Sequence, residues 1–361
     1  MDGEILSASW LEDKEENMSI SPDMLFHMGG VPVGGAIGPR THIVGQKVAY
    51  FVDANNGSAN NGGTSWTDAS VTIQAAVTLA NSDKHKLDNV DIYIANGAYA
   101  EEVSITRAGT GLGSGVMMWA NQGRTIGGIG TLRLICVGSG AYLYGSTTAE
   151  TPVLEVGRPN VEIYNFRMIQ GNTTVDNAAG AWSGTESDGH ATAGRPVVEF
   201  NSEYNTTTLL NGAANNCVLA NCRVNAGGIA DMGCVLVNGG NWCDVIDCTL
   251  EYGNDYGLGL CGNSRGWAAE GVYKNLIFRN NTDAHIVHTA YADGQVINPT
   301  FVNSPTLTLE DLGTDSVRCQ IVGGYSLETA TTDFISAGWS IIGHQCAVAT
   351  YGVLFDVDLS A

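Results

Sequence analysis

An eight-residue motif recurs at a fixed offset in the middle of the chain. Cys217-Val-Leu-Ala-Asn221-Cys222-Arg-Val aligns without gaps on Cys243-Asp-Val-Ile-Asp247-Cys248-Thr-Leu, 26 residues on, repeating both cysteines and the Asn/Asp between them. Weaker copies flank the pair: Val161-Glu-Ile-Tyr-Asn165-Phe166-Arg-Met before it, and Tyr273-Lys-Asn275-Leu-Ile-Phe278 and Gln295-Val-Ile-Asn298-Pro-Thr-Phe301 after it. From Asn221 to Asn298 the successive polar residues lie 26, 28 and 23 apart, while the 56 between Asn165 and Asn221 hold two periods or one with a long excursion through Asn172 to Gly194. A short apolar run closed by a polar turn residue at this interval is the mark of a solenoid.

The repeat carries strand patterns and no helix, so one unit cannot bury its apolar face alone. Successive coils must stack about 4.8 Å apart, each pairing its backbone with the next. Asn165, Asn221, Asp247, Asn275 and Asn298 then form a turn ladder with hydrogen bonds between coils, and Cys217 stacks on Cys243 and Cys222 on Cys248 inside. About 11 coils and a rod of about 50 Å are expected. Its ends expose strand edges and need caps. The convincing helix, Val71 to Ala80, lies where the first cap belongs; Ser70 or Asp68 is its N-cap, and Ile73, Val77 and Ala80 share one face. The expected fold is an all-β, single-stranded parallel β-helix with a short N-terminal capping helix. Residues 1–46 form an extended arm, 47–100 the entry and cap, 101–333 the coils and 334–361 a closing segment.

Composition removes several functions. The formal charge is −21, from 16 Lys+Arg against 37 Asp+Glu, so nucleic acid would be repelled. No apolar run has the length of a signal peptide or a membrane span, and neither export by that route nor membrane insertion is expected. Nine cysteines, an odd number without a Cys-x-x-Cys pair, read as buried reduced thiols, with no metal site and no cofactor. The arm combines an acidic stretch with apolar Met24, Leu25, Phe26, Val31 and Val33, a composition that orders on a partner.

A resemblance extends this reading. Tyr50-Phe51-Val52-Asp53-Ala-Asn55-Asn56-Gly57-Ser58, Thr72-Ile73-Gln74-Ala75-Ala76, Ile92-Tyr93-Ile94 and Gly97-Ala98-Tyr99-Ala100-Glu101 resemble the entry segment of right-handed parallel β-helix proteins of the pectin-lyase-like class, which includes many phage virion proteins. The resemblance implies a right-handed coil and a phage structural protein. That protein would be a capsid decoration, head fibre or tail spike, synthesised in the host cytoplasm and displayed on the virion surface. It would be a homotrimer whose arm docks on capsid or tail proteins. Ala59 stands where relatives often carry an acidic residue, so no calcium site is assigned to that loop.

The alternative is a tailspike-like protein that binds or depolymerises a host surface glycan. Asn281-Thr282-Asp283 is similar to the first motif of polygalacturonase-type glycosidases, and Gly343-His344-Gln345 echoes their Gly-His-Gly. The paired aspartates between them are missing, with only Asp293 nearby, and no Arg-x-Lys follows. Asp283, Asp293 and His344 are therefore the catalytic candidates under this alternative, whereas the structural reading assigns none. Asp231, Asp244, Asp247, Glu251 and Asp255 read as turn carboxylates and solvated charge. His285 and His288 have no third ligand at metal spacing. Gly109 to Gly115 lacks the lysine and following helix of a phosphate loop, and Trp182 to Gly194 reads as a polar insertion projecting from the rod.

Overall fold

The computed structural model describes residues 47–82, 88–106, 130–138, 140–145, 152–170, 196–201, 214–229, 232–261, 268–288, 292–303, 307–311, 318–327, 339–347 and 352–358. The chain divides into two units, Met1–Arg40 and Thr41–Ala361. The arm with Met24, Leu25, Phe26, Val31 and Val33, the glycine stretch 109–115, the insertion 182–194 and Asp231 lie outside the described residues.

The second unit is a parallel β-helix with three sheets. The first stacks Lys47–Val52, Asn89–Ile94, Leu132–Cys136, Val161–Tyr164, Val218–Ala220, Asp244–Ile246, Ala268–Lys274, Ala292–Ile297, Arg318–Val322 and Trp339–Ala347, every neighbour parallel. The second stacks Gly97–Ala100, Ala141–Gly145, Arg167–Gln170, Arg223–Asn225, Thr249–Glu251, Ile277–Arg279, Thr300–Val302 and Tyr325–Ser326. The third runs from Val103–Thr106 through Leu154–Gly157, Val198–Asn201, Val235–Asn238, Tyr256–Cys261 and Ala284–His288 to Leu307–Asp311. A complete coil thus contributes one strand to each sheet, and alternate side chains of the strands enter a common interior.

That interior is built from vertical columns of equivalent residues. In the first sheet Ile92, Leu134, Ile163, Leu219, Val245, Tyr273, Val296 and Ile321 follow one another in register, each at most 1% exposed. Eight of the nine cysteines have described side chains, and all eight are buried thiols. Tyr273 is the largest intruder among them. A Cβ at Gly294 would stand 2.7 Å from its ring and one at Gly271 2.5 Å from its hydroxyl, so glycine at both positions makes room for the phenol.

The first and second sheets meet at a corner of two residues. Asn165, Asn221, Asp247, Asn275 and Asn298 each occupy its first position with φ between 51° and 66°. Asn and Asp tolerate this left-handed conformation better than other side-chain-bearing residues. The Asn221 amide donates to Asn165 Oδ1 at 2.7 Å and that of Asn275 to Asp247 Oδ1 at 2.8 Å. Gly323 takes the next position with φ 68°, where a Cβ would lie 2.6 Å from Asn298 Oδ1. A second left-handed series, Asn160, Asn216 and Trp242, marks the corner before the first sheet, with Asn216 donating to Asn160 Oδ1 at 2.8 Å, and Glu270 adopts the same conformation at the register irregularity within Ala268–Lys274.

The helix α1 spans Ile73–Ala80 and buries Ile73, Ala76, Val77 and Ala80. Its N-cap is Thr72, whose hydroxyl accepts from Ala75 N–H, in place of the expected Ser70 or Asp68. Ser70 is held elsewhere, its backbone exchanging hydrogen bonds with Phe51 and Asp53 along the outer edge of the first strand. Two charges bracket the helix. The Glu101 carboxylate accepts from Ile73 and Gln74 N–H at 2.7 and 2.9 Å, and Arg158 donates to the Asn81 side chain at the other end. Both signs suit the helix dipole. The Gln74 amide imitates a neighbouring strand: its oxygen accepts from Ser104 N–H and its nitrogen donates to Ser104 O, closing the edge of Val103–Thr106.

Two further expectations change. The first sheet has ten strands, not about 11 coils beyond the entry, because the interval from Asn165 to Asn221 is one coil whose excursions, 171–195 and 202–213, lie outside the described residues. Asp244, Glu251 and Asp255 are buried, not solvated: they point outward from strands or turns but are covered and engaged by neighbours. Asp244, for instance, accepts from Val272 N–H at 2.9 Å. In the closing segment the last strand, Gly352–Asp358, runs antiparallel to Trp339–Ala347 and ends the parallel stacking.

Candidate functional site

The outward face of the second sheet gathers arginine and tyrosine side chains from successive rungs. Register fixes two columns on it. One contains Tyr142, Arg167, Arg223, Thr249, Ile277, Thr300 and Tyr325; the other contains Tyr144, Ile169, Asn225, Glu251, Arg279 and Val302. Arg223, Arg279, Tyr144 and Tyr325 are exposed, as is Tyr252 in the adjoining turn. Arg167 lies over Tyr142, its guanidinium carbon 5.2 Å from the ring centroid and one nitrogen donating to the phenol oxygen at 2.5 Å. Three guanidiniums thus share these two columns with a single carboxylate, on a chain whose net charge is −21.

That carboxylate is Glu251, which is fully buried. Its Oε1 accepts from Arg223 Nε at 2.6 Å and from the Asn225 amide at 3.0 Å. The bond to Glu251 also holds the Arg223 guanidinium above its ordinary pKa. Glu251 Oε2 takes no hydrogen bond among the described residues. The geometry presents a pinned guanidinium to solvent above a buried acceptor, with tyrosines on neighbouring rungs. Such a surface can hold an anion by charge and stack an apolar ring face, but it brings no second carboxylate within its two columns.

The other outward faces are self-contained. On the first sheet Asp91 meets Lys47 at 3.6 Å and Arg133 at 3.4 Å, while Arg133 meets Glu162 at 3.0 Å. Tyr93 and Tyr164 donate to the same two carboxylates. Burial, then the charge of Asp91, pushes the Tyr93 phenol up to about 12. On the third sheet Glu155 and Glu199 are adjacent in register. Ser104 and Asn201 donate to Glu155, and Asn238 donates to Glu199, which is fully buried. Both networks read as structural, since their carboxylates are occupied by partners within the coil stack.

The catalytic candidates fall in different places. Asp283 is an exposed turn residue ahead of the third-sheet strand Ala284–His288, whereas Asp293 is half-buried in a first-sheet strand of the next coil. His344 is 1% exposed, with Nδ1 2.9 Å from Gly323 O and its ring centroid 5.6 Å from that of Phe301. The fold separates these residues onto two sheets and an interior position. His285 and His288 are also buried; His285 stacks on Phe301 and its Nδ1 lies 3.1 Å from the Asn281 amide. Among the described residues no group of three His, Cys, Asp or Glu is arranged to hold a metal ion, and no helix is long and apolar enough to cross a membrane.

The arginine face was missed from sequence although a signal existed. Its members stand two and four residues after each ladder position: Arg167 after Asn165, Arg223 and Asn225 after Asn221, Glu251 after Asp247, Arg279 after Asn275. The Glu155–Glu199 pair also has one, the echo of Val153-Leu-Glu-Val in Val197-Val-Glu-Phe, hidden by the long excursion between them.

No protein-family model matches the chain, and no curated protein matches it in sequence. Solved structures share its architecture. A rhamnogalacturonan lyase superposes with a TM-score of 0.52 at 13% identity, covering 83% of this chain and 74% of the lyase. The pectin methylesterase of Aspergillus niger gives 0.49 at 11% identity over 86% of this chain and 91% of its own. A pectate lyase gives 0.46 at 11% identity over 85% and 78%. The likeness to the rhamnogalacturonan lyase, at 13% identity, speaks for the parallel β-helix alone.

Proposed function

We propose that the protein is a polysaccharide-binding β-helix whose second-sheet face grips an anionic glycan. The observation that carries this reading is the concentration of Arg167, Arg223 and Arg279 with Tyr142, Tyr144, Tyr252 and Tyr325 on that face of an otherwise acidic chain. Guanidiniums match carboxylate or sulfate geometry, and tyrosines offer flat surfaces to the apolar faces of sugar rings. Rungs about 4.8 Å apart repeat these contacts along a polymer. The reading is binding, because hydrolysis of a glycosidic bond requires a pair of carboxyl groups on one accessible face and these two columns hold only Glu251.

The test is retention on immobilised acidic and neutral polysaccharides. Arg167→Ala and Arg279→Ala are each expected to weaken binding to the acidic polymer about tenfold, the equivalent of about 1.4 kcal/mol. Equal retention on neutral polymer, or unchanged binding by both variants, would reject the site. Release of unsaturated or reducing ends would instead support a depolymerase, with Asp283→Ala, Asp293→Ala and His344→Ala as the variants to assay.

We also propose that such a binder is displayed as a homotrimer on a phage virion, with residues 1–46 as its attachment to capsid or tail proteins. The apolar run Met24-Leu25-Phe26 with Val31 and Val33, beside an acidic stretch in a composition that orders on a partner, supports this. Deleting residues 1–46 should abolish attachment to particles and leave glycan binding intact; a truncated protein that still decorates particles would overturn the assignment.

A further inference from the structure

Two pairs of buried cysteines stand one rung apart. Val218 pairs with Asp244 and Arg223 with Thr249, which places Cys217 at the same position as Cys243 and Cys222 at the same position as Cys248. The Cys222 N–H reaches Cys248 Sγ at 3.4 Å. In-register neighbours on parallel strands are roughly 4.8 Å apart, within the roughly 4.4–6.8 Å between Cα atoms that a disulfide spans. Four cysteines allow three pairings, but the corner and strand separate Cys217 from Cys222 along the chain. Only the cross-rung pairing is within reach.

The same packing makes the finished coil unreactive. All four side chains are at most 3% exposed. Burial raises the Cys243 and Cys248 thiols well above their ordinary range, and a hydrogen bond with the partner thiol raises each further. The thiolate is the reactive species, and exchange needs access to it.

We propose that these pairs form a redox lock set while the chain winds: under oxidising conditions Cys217–Cys243 and Cys222–Cys248 close as two cross-rung disulfides, and once the coil is complete neither state converts to the other. Each closure joins two sulfurs and releases two protons and two electrons. A small-molecule disulfide such as oxidised glutathione takes them up and leaves as two thiols. The staples tie neighbouring coils in the middle of the solenoid.

The test compares full-length protein made in a reducing and in an oxidising bacterial cytoplasm. Each sample is alkylated under denaturing conditions and digested with chymotrypsin and Asp-N, which cut between the cysteines of each strand. Protein from the oxidising host should carry both cross-rung linkages and melt about 5 °C or more higher. Protein from the reducing host should carry Cys217, Cys222, Cys243 and Cys248 as free thiols, and should keep them so through a day in oxidised glutathione. Oxidation of the folded protein within that day would overturn the lock. Free thiols or glutathione adducts at these four positions, or other pairings among them, in the oxidised sample would overturn the linkage itself. A Cys222→Ala variant should still form Cys217–Cys243; failure to do so in a folded variant would count against register as the cause.

Discussion

Asn221 shows how one side chain does two jobs at a corner. It adopts a φ of 53° that costs a residue with a Cβ roughly 1–2 kcal/mol, and its amide binds Asn165 Oδ1 in the adjacent coil. Asn221→Ala should therefore lose about 1–2 kcal/mol, while Asn221→Gly should recover the backbone share and lose only the hydrogen bond. Denaturant midpoints check this, and equal losses in the two variants would show that conformation is irrelevant there. A different residue-level cost is set inside the coil. Gly294→Ala would drive a methyl against the Tyr273 ring at 2.7 Å, and an overpacked core of this kind typically loses about 1–3 kcal/mol. Pairing it with Tyr273→Phe should change little, since the ring edge and not the hydroxyl is the obstacle.

Among the elements, the entry loop and the cap each carry specific polar contacts. Asp53 is kept below its ordinary pKa by the Asn56 side chain and by the backbone of Asn55 and Asn56; Asp68 is kept low by the Thr64 hydroxyl and by Thr64 and Gly62 N–H. A folded pKa below the unfolded value means that these bonds contribute above about 3.8 and are lost as pH falls through the lowered values. Trp66 lies 4.9 Å from Phe51, so its fluorescence should report loop release below pH 3.8 before the coils unfold. A single transition shared with the coil signal would count against separate loop control. For the cap, Gln74→Ala should raise amide exchange at Ser104 selectively, because it removes the only strand-like neighbour on that edge among the described residues. How much of this was legible follows from the same chemistry. The ladder, the stacked cysteines and the capping helix announced themselves, because period, turn residues and amphipathicity are local in sequence. The Gln74–Ser104 clasp and the Glu101 bridge were not, since side-chain pairing across about 30 residues leaves no periodic trace.

For the molecule as a whole, the arginine face must work against the chain's own field. At roughly 0.01 M salt the Debye length is about 30 Å and an anionic polymer meets the net charge; near 0.15 M it is about 8 Å and only nearby charges act. Affinity for an acidic polysaccharide is therefore expected to pass through a maximum as salt rises. A monotonic decline across that range in a binding titration would mean that contacts at the face dominate throughout. The site was partly hidden in the sequence because outward direction is defined only after coils are aligned, and the segment between Asn165 and Asn221 obscured that alignment. The two-residue corner between the first and second sheets has a further consequence. It is unvaried from Asn165 to Gly323, whereas the other corners accept from a few residues to dozens. Foreign segments spliced at 171–195 or 202–213 should leave the winding of the remaining rungs untouched, so this scaffold can exchange its appendages like pages clipped to a fixed binding.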